Sequence, residues 1–300
     1  MLLNFAMPTW LYLSFYQMIA KKAQLKELLK IHFGYDSFRP GQEKAIDAIL
    51  EGRHTITVLP TGGGKSLIFQ LPALVLEGVT LVVSPLIALM KDQVDNLEKA
   101  GITDAVTING MLDPIERAKS YERVEDGSAS ILYISPESLR SATIERLILG
   151  RKIARFVIDE AHCFSAWGQD FRVDYLFIGD FIKAIQEKKN LEDSIPVSCF
   201  TATAKPKVIE DIVGYFREKL SLQLEIFNAK TTRTNLAYKV FEKDNAEKYN
   251  ALRDFIEEKN LKLKVGSQIM FVKNDLSFDK KYFNGKMGFI KSLSSQEILV

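Results

Sequence analysis

Short apolar, β-branched runs recur through the middle of the chain: Thr55–Leu59, Val79–Val83, Ile131–Ile134, Phe156–Ile158 and Val197–Phe200. Each is bounded by Gly, Pro, Ser or charged residues, as strands buried on both faces of a parallel sheet are. Between and after them lie helical patterns, at Ser66–Leu76, Leu86–Ala100, Pro114–Glu125, Tyr175–Lys189 and Lys205–Lys219. This alternation predicts an α/β fold, a parallel sheet with helices on both faces. Ligands of such sheets bind off the carboxyl ends of the strands. After Asn260 the helical period gives way to short alternating segments, Lys264–Val272 and Lys286–Leu293, around an Asn284-Gly285 hairpin signal, which predicts a small β-rich piece.

The amino terminus is different. Met1–Ala20 carries no charge and is long enough for a membrane span. Asn4, Pro8, Thr9, Ser14 and Gln17 interrupt it, and neither a basic leader nor a small-residue cleavage site is clear, so it reads as an apolar extension with Met18 as a plausible start. From Met18 the pattern is that of an amphipathic helix, and no membrane partner is expected. With 47% hydrophobic and 26% charged residues the composition is that of an ordinary soluble globular protein. A net charge of +2 excludes a protein that coats nucleic acid through bulk charge, so any such contact must come from local placement. The last forty residues hold seven lysines against three acids, which marks a basic piece. Two cysteines, Cys163 and Cys199, are too few for a disulfide framework or a four-cysteine zinc site; buried, reduced thiols and a cytoplasmic protein are expected.

Two motifs carry chemistry. Leu59-Pro60-Thr61-Gly62-Gly63-Gly64-Lys65-Ser66 runs from a strand into a helix. Glycines there let the backbone aim its N–H groups at phosphate oxygens, and the helix start favours an anion. Lys65 would reach the β and γ phosphates of ATP, and the Ser66 hydroxyl would ligate Mg2+. The general pattern wants a Gly where Leu59 stands; the strand–loop–helix context compensates. Asp159-Glu160-Ala161-His162 follows another strand. An Asp at that place would hold Mg2+ through water, and the next Glu would orient or deprotonate the attacking water. His162 is either part of this catalytic set or an ordinary polar residue; His32 and His54 are read as ordinary.

Together these motifs resemble the superfamily 2 helicases, and specifically the RecQ family, which implies a RecA-like motor domain over 23–235 and a linker over 236–260. Phe33–Gln42 is similar to that family's adenine-recognition segment. The resemblance implies that Gln42 reads the adenine edge while Tyr35 and Arg39 pack on the base. Ser84-Pro85-Leu86 with Lys91-Asp92-Gln93, and Ser135-Pro136-Glu137, resemble loops that touch single-stranded DNA phosphates. Thr201-Ala202-Thr203-Ala204 resembles the motif that couples ATP hydrolysis to strand movement. Cys163–Arg172 resembles the aromatic-rich loop of the family, in which Trp167, Phe171 and Arg172 form a platform for a single strand. Gln169 stands where the family has a His that links DNA binding to hydrolysis, and Val173 where it has a Pro; Gln cannot titrate. The resemblance covers roughly 23–260, and no second sheet follows. Residues 261–300 instead resemble the SH3-like barrel of RecD-like superfamily 1 helicases, and an incomplete barrel is expected. The resemblance implies a 3′→5′ helicase acting on single-stranded or forked DNA, with a second motor domain supplied in trans. The alternative is a remnant that binds ATP and DNA without unwinding.

Overall fold

The computed structural model describes residues 9–166, 172–202 and 205–228, with side chains from residue 18, and short strands between 268 and 299. Two compact units are present, Met1–Thr232 and Arg233–Val300.

Seven strands form the sheet of the first unit: β1 (Thr55–Val58), β2 (Val79–Val83), β3 (Ala105–Ile108), β4 (Ile131–Ile134), β5 (Ile153–Ile158), β6 (Val197–Thr201) and β7 (Glu225–Asn228). Their spatial order is β3-β4-β2-β5-β6-β1-β7, and every pair is parallel. The helices are α1 (Thr9–Phe33), α2 (Gln42–Leu50), α3 (Lys65–Val75), α4 (Ile87–Lys99), α5 (Pro114–Glu125), α6 (Ala142–Leu149), α7 (Phe177–Lys188) and α8 (Pro206–Leu220). Alternate residues of each strand enter different cores, because successive side chains point to opposite faces. Val82, Tyr133, Val157 and Phe200 pack with α1 to α4, whereas Leu81, Leu132, Phe156 and Cys199 pack with α6 to α8.

Two strands escape the sequence pattern, β3 and β7, and both are sheet edges. β7 is largely exposed, so it lacks the apolar run that marks a central strand. Helix α1 is continuous across residue 22, where the sequence suggests a boundary. Its Leu25 and Leu29 are buried, and Lys22 reaches Asp47 of α2 at 2.8 Å. It stops at Gly34, whose φ of 70° lets Gly34 N–H bond to Lys30 O. No helix among the described residues is long and apolar enough to cross a membrane.

In the second unit, β8 (Gln268–Met270) pairs antiparallel with β9 (Met287–Phe289), and β10 (Ser292–Leu293) with β11 (Ile298–Leu299). The Asn284-Gly285 turn and the closure of an SH3-like barrel lie outside the described residues.

Candidate functional site

The phosphate-loop residues follow β1 and run into the first two residues of α3, Lys65 and Ser66. Leu59 N–H bonds to Thr201 O of β6 at 3.1 Å, which prolongs the strand pairing into the loop. Gly63 N–H closes a turn on Pro60 O at 2.9 Å, and a Cβ on Gly63 would stand 2.8 Å from that same oxygen. Gly64 has φ 78° and would place a Cβ 2.5 Å from Gln42 Nε2. α3 then starts with no side-chain cap, which leaves its first N–H groups available to an anion. Thr61 is exposed, Ser66 is half-buried, and Lys65 Nζ lies back over the loop, 3.3 Å from Leu59 O.

The proposed adenine-reading residues meet this loop directly. Gln42 is only 2% exposed at the start of α2. Its Oε1 accepts from Arg39 N–H at 2.7 Å, and its Nε2 donates to Gly64 O at 3.0 Å. Arg39 Nη1 donates to Gly62 O at 2.8 Å, and its guanidinium lies 5.8 Å from the Tyr35 ring centroid. Gln42 and Arg39 thus hold the carbonyls of Gly64 and Gly62 in one segment, so the base-reading and phosphate-binding candidates form one structural unit.

Asp159 directly follows β5, its N–H bonded to Val83 O of β2 at 2.9 Å. Glu160 turns the chain in a left-handed conformation, φ 46°, rare for a residue with a side chain. Burial and then the adjacent Glu160 charge push the Asp159 carboxyl up to about 6, while Lys65 pulls it back. Glu160 is held low, first by His162, whose Nδ1 lies 3.1 Å from Glu160 Oε2, with Lys65 also favouring its anion. The two neighbouring carboxyls are therefore driven apart, one reluctant to ionise and one ionised. That separates a group whose charge a cation would relieve from one that stays ionised. Thr201 Oγ1 is 3.5 Å from His162 Nδ1, and Tyr175 OH donates to Asp159 O at 2.9 Å behind the turn. No cluster of three or more metal-ligating side chains exists among the described residues. The donor set of Ser66 and Asp159 suits a hard cation that keeps water and shares phosphate oxygens, rather than a protein cage.

The candidate DNA residues divide by exposure. Lys91 is exposed on α4. Ser84 is 2% exposed with its Oγ lacking a partner, and Pro85 is buried, its carbonyl accepting from Arg172 Nη1 at 3.0 Å. Ser135 is mostly buried and its Oγ is 3.0 Å from Ser138 Oγ. Gln93 turns inward, where its Oε1 accepts from Gln70 Nε2. Trp167, Gln169, Phe171 and Thr203 lie outside the described residues. Pattern reading passes over Tyr175, Gln70, Tyr133 and Arg155. Only Arg155 carries a visible signal, a cation inside an apolar run.

The DEAD/DEAH box helicase family model matches residues 39–212. Over 226 residues the chain is 40% identical to the ATP-dependent DNA helicase RecQ of Bacillus subtilis (strain 168), covering 75% of this chain and 36% of the relative. It is 39% identical over 236 residues to the probable ATP-dependent DNA helicase RecS of the same organism, covering 78% of this chain and 45% of RecS. The chain thus spans less than half the length of these relatives. Among solved structures, the crystal structure of the DUF1998 helicase MrfA shares the fold, with TM-score 0.59 at 21% identity, covering 79% of this chain and 37% of that one.

Proposed function

The chain belongs to the DEAD/DEAH box helicase family, and from that premise we propose that it is the ATP-binding motor domain of a RecQ-like, ATP-dependent 3′→5′ DNA helicase. The observation that carries the reading is the convergence of Lys65, Asp159 and Glu160, in which the Lys65 charge favours the anion of both carboxyls and the Glu160 charge disfavours that of Asp159, beside a glycine loop tied to Gln42.

In this reading the N–H groups of residues 61–66 and the start of α3 cradle the phosphates, and Lys65 binds the β and γ groups. Gln42, Tyr35 and Arg39 take the adenine. Ser66 and, through water, Asp159 hold Mg2+, which supplies charge neutralisation at the phosphates. Glu160 orients the attacking water and takes its proton as the bond to the ADP leaving group breaks; its lowered pKa keeps it ionised, able to accept a hydrogen bond from that water. His162 and Thr201, already in contact range, relay the state of the γ phosphate toward Thr203 and Gln169. Lys91, Arg172, Trp167 and Phe171, with the loops at Ser84-Pro85 and Ser135, receive single-stranded or forked DNA. A second motor domain, in trans, supplies the arginine that such sites use for transition-state charge, worth roughly 10³–10⁵ in rate. A cytoplasmic location belongs to the same proposal, supported by the burial of both cysteines, Cys163 and Cys199, in the core.

The test is ATP hydrolysis by the purified chain with and without single-stranded DNA, beside magnesium-dependent nucleotide binding. Lys65→Ala is expected to abolish both. Nucleotide binding that survives in Lys65→Ala refutes the site. Binding without turnover in the wild type means that the catalytic arginine must be added.

A further inference from the structure

Gln70 sits one and a half turns into α3 and is 4% exposed, among Ile68, Phe69, Leu71 and Met90. Both protons of its amide are used: Nε2 donates to Gln93 Oε1 of α4 at 2.9 Å and to Tyr133 OH of β4 at 2.8 Å. Tyr133 is 1% exposed. Among the described hydrogen bonds, Gln70–Gln93 is the one that joins α3 to α4. An amide in an apolar core costs free energy unless bonded, and an apolar trio of like shape would serve stability about as well. What hydrogen bonds add is direction: each weakens steeply when bent or stretched.

The three residues lie close in sequence to three different segments that carry candidate ligand contacts. Gln70 is five residues beyond Lys65, Gln93 two residues beyond Lys91, and Tyr133 two residues before Ser135. One nitrogen therefore fixes the phosphate-loop helix against both elements whose ends carry the candidate DNA contacts. The Asp159 charge also reaches Tyr133 and raises its pKa further.

We propose that Gln70, Gln93 and Tyr133 form a positioning triad that couples nucleotide binding on α3 to single-strand binding beside α4 and β4. This rests on the helicase reading above. A strand that displaces α4 cannot do so without bending the Gln70 bonds, and through them α3 and its phosphate loop. Removing the Gln70 amide should leave both ligands able to bind while each ceases to feel the other.

The measurement is the Kd of a fluorescent ATP analogue with magnesium, in the presence and absence of a saturating oligothymidylate, for the full chain, Gln70→Met and Tyr133→Phe. In the wild type DNA should change the Kd by about fivefold or more, within the usual range of coupling between sites. In Gln70→Met the ratio should fall to within about twofold of unity, with the DNA-free Kd within about threefold of wild type. Tyr133→Phe, which removes one oxygen atom and keeps the ring, should fall between them and guards against a misfolded Gln70→Met. A variant that merely loosens the core loses thermal stability and keeps the ratio. An unchanged ratio in both variants overturns the triad, as does a wild-type ratio of one. A wild type that binds neither ligand overturns the helicase reading itself, and the triad's role with it.

Discussion

Arg155 is the least expected residue of the core, and replacing it tests how the site is held. It lies near the start of β5, four residues before Asp159, and is 1% exposed. Its Nη1 donates to Arg53 O and to Ser198 Oγ, each at 2.9 Å, and its Nη2 to Ile49 O at 2.8 Å. Burial pushes its pKa down to about 9, so the guanidinium remains charged at neutral pH. Three bonds from a charged donor contribute about 1.5–3 kcal/mol each, and burying the ion costs several kcal/mol; these nearly cancel. The effect of Arg155→Met is then set by what it leaves behind. Ile49 O keeps Gly52 N–H, and Ser198 Oγ keeps Thr55 Oγ1 at 2.7 Å. Arg53 O keeps no partner among the described bonds; the residue is exposed, so water offsets part of the roughly 1–3 kcal/mol that a buried orphan costs. Met fills most of the space, so the cavity contribution is small. The expected fall in Tm is about 2–4 °C per kcal/mol for a domain of this size, read by circular dichroism. Because Ile49 O and Arg53 O lie at and just beyond the far end of α2, nucleotide affinity through Gln42 should fall too. Arg155→Ala adds a cavity and should lose more. A Tm of Arg155→Met at or above wild type would refute the reasoning, since it would mean that desolvation of the ion outweighs everything its bonds return.

Gly64→Ala should cost about 1–2 kcal/mol for its left-handed backbone and, by displacing Gln42, weaken nucleotide binding on the order of tenfold. Gly34→Ala has a similar φ of 70° with open space around it and should lose stability alone; equal affinity loss in both refutes the Gln42 contact. The Asp159 carboxyl, held up to about 6 against an ordinary 3.8, keeps its proton in the folded state after the unfolded chain has lost it. Its contribution therefore makes stability fall as pH rises between those values, and Asp159→Asn should remove that part of the slope. Because the cation needs the ionised form, magnesium-dependent nucleotide affinity should drop by up to about tenfold per pH unit below about 6; a flat profile there would sink the assignment.

Leu59–Ser66 and Asp159–His162 are legible in the chain because their chemistry depends on residue type and on a place immediately after an apolar run. Five of the seven sheet strands are legible for a related reason: a strand buried on both faces has no polar side to obscure it. The edges β3 and β7 are not, since an edge strand is short and need not be apolar throughout. The sequence likewise marks Gln42 and Gln93 as polar residues near ligand motifs but says nothing of where their amides point. Packing of α2 against the phosphate loop turns Gln42 onto Gly64 O, and packing of α4 against α3 turns Gln93 inward to Gln70. Ser84, read as a DNA contact, has its hydroxyl buried beneath the sheet's carboxyl edge. Arg155 is the extreme case, because a cation belongs inside only where oxygens converge on it, here from the end of α2, from just beyond it and from β6. Local pattern therefore marks the candidate chemistry of this chain. The partners of its buried polar groups were decided by contacts between segments far apart in sequence, which have no local signature.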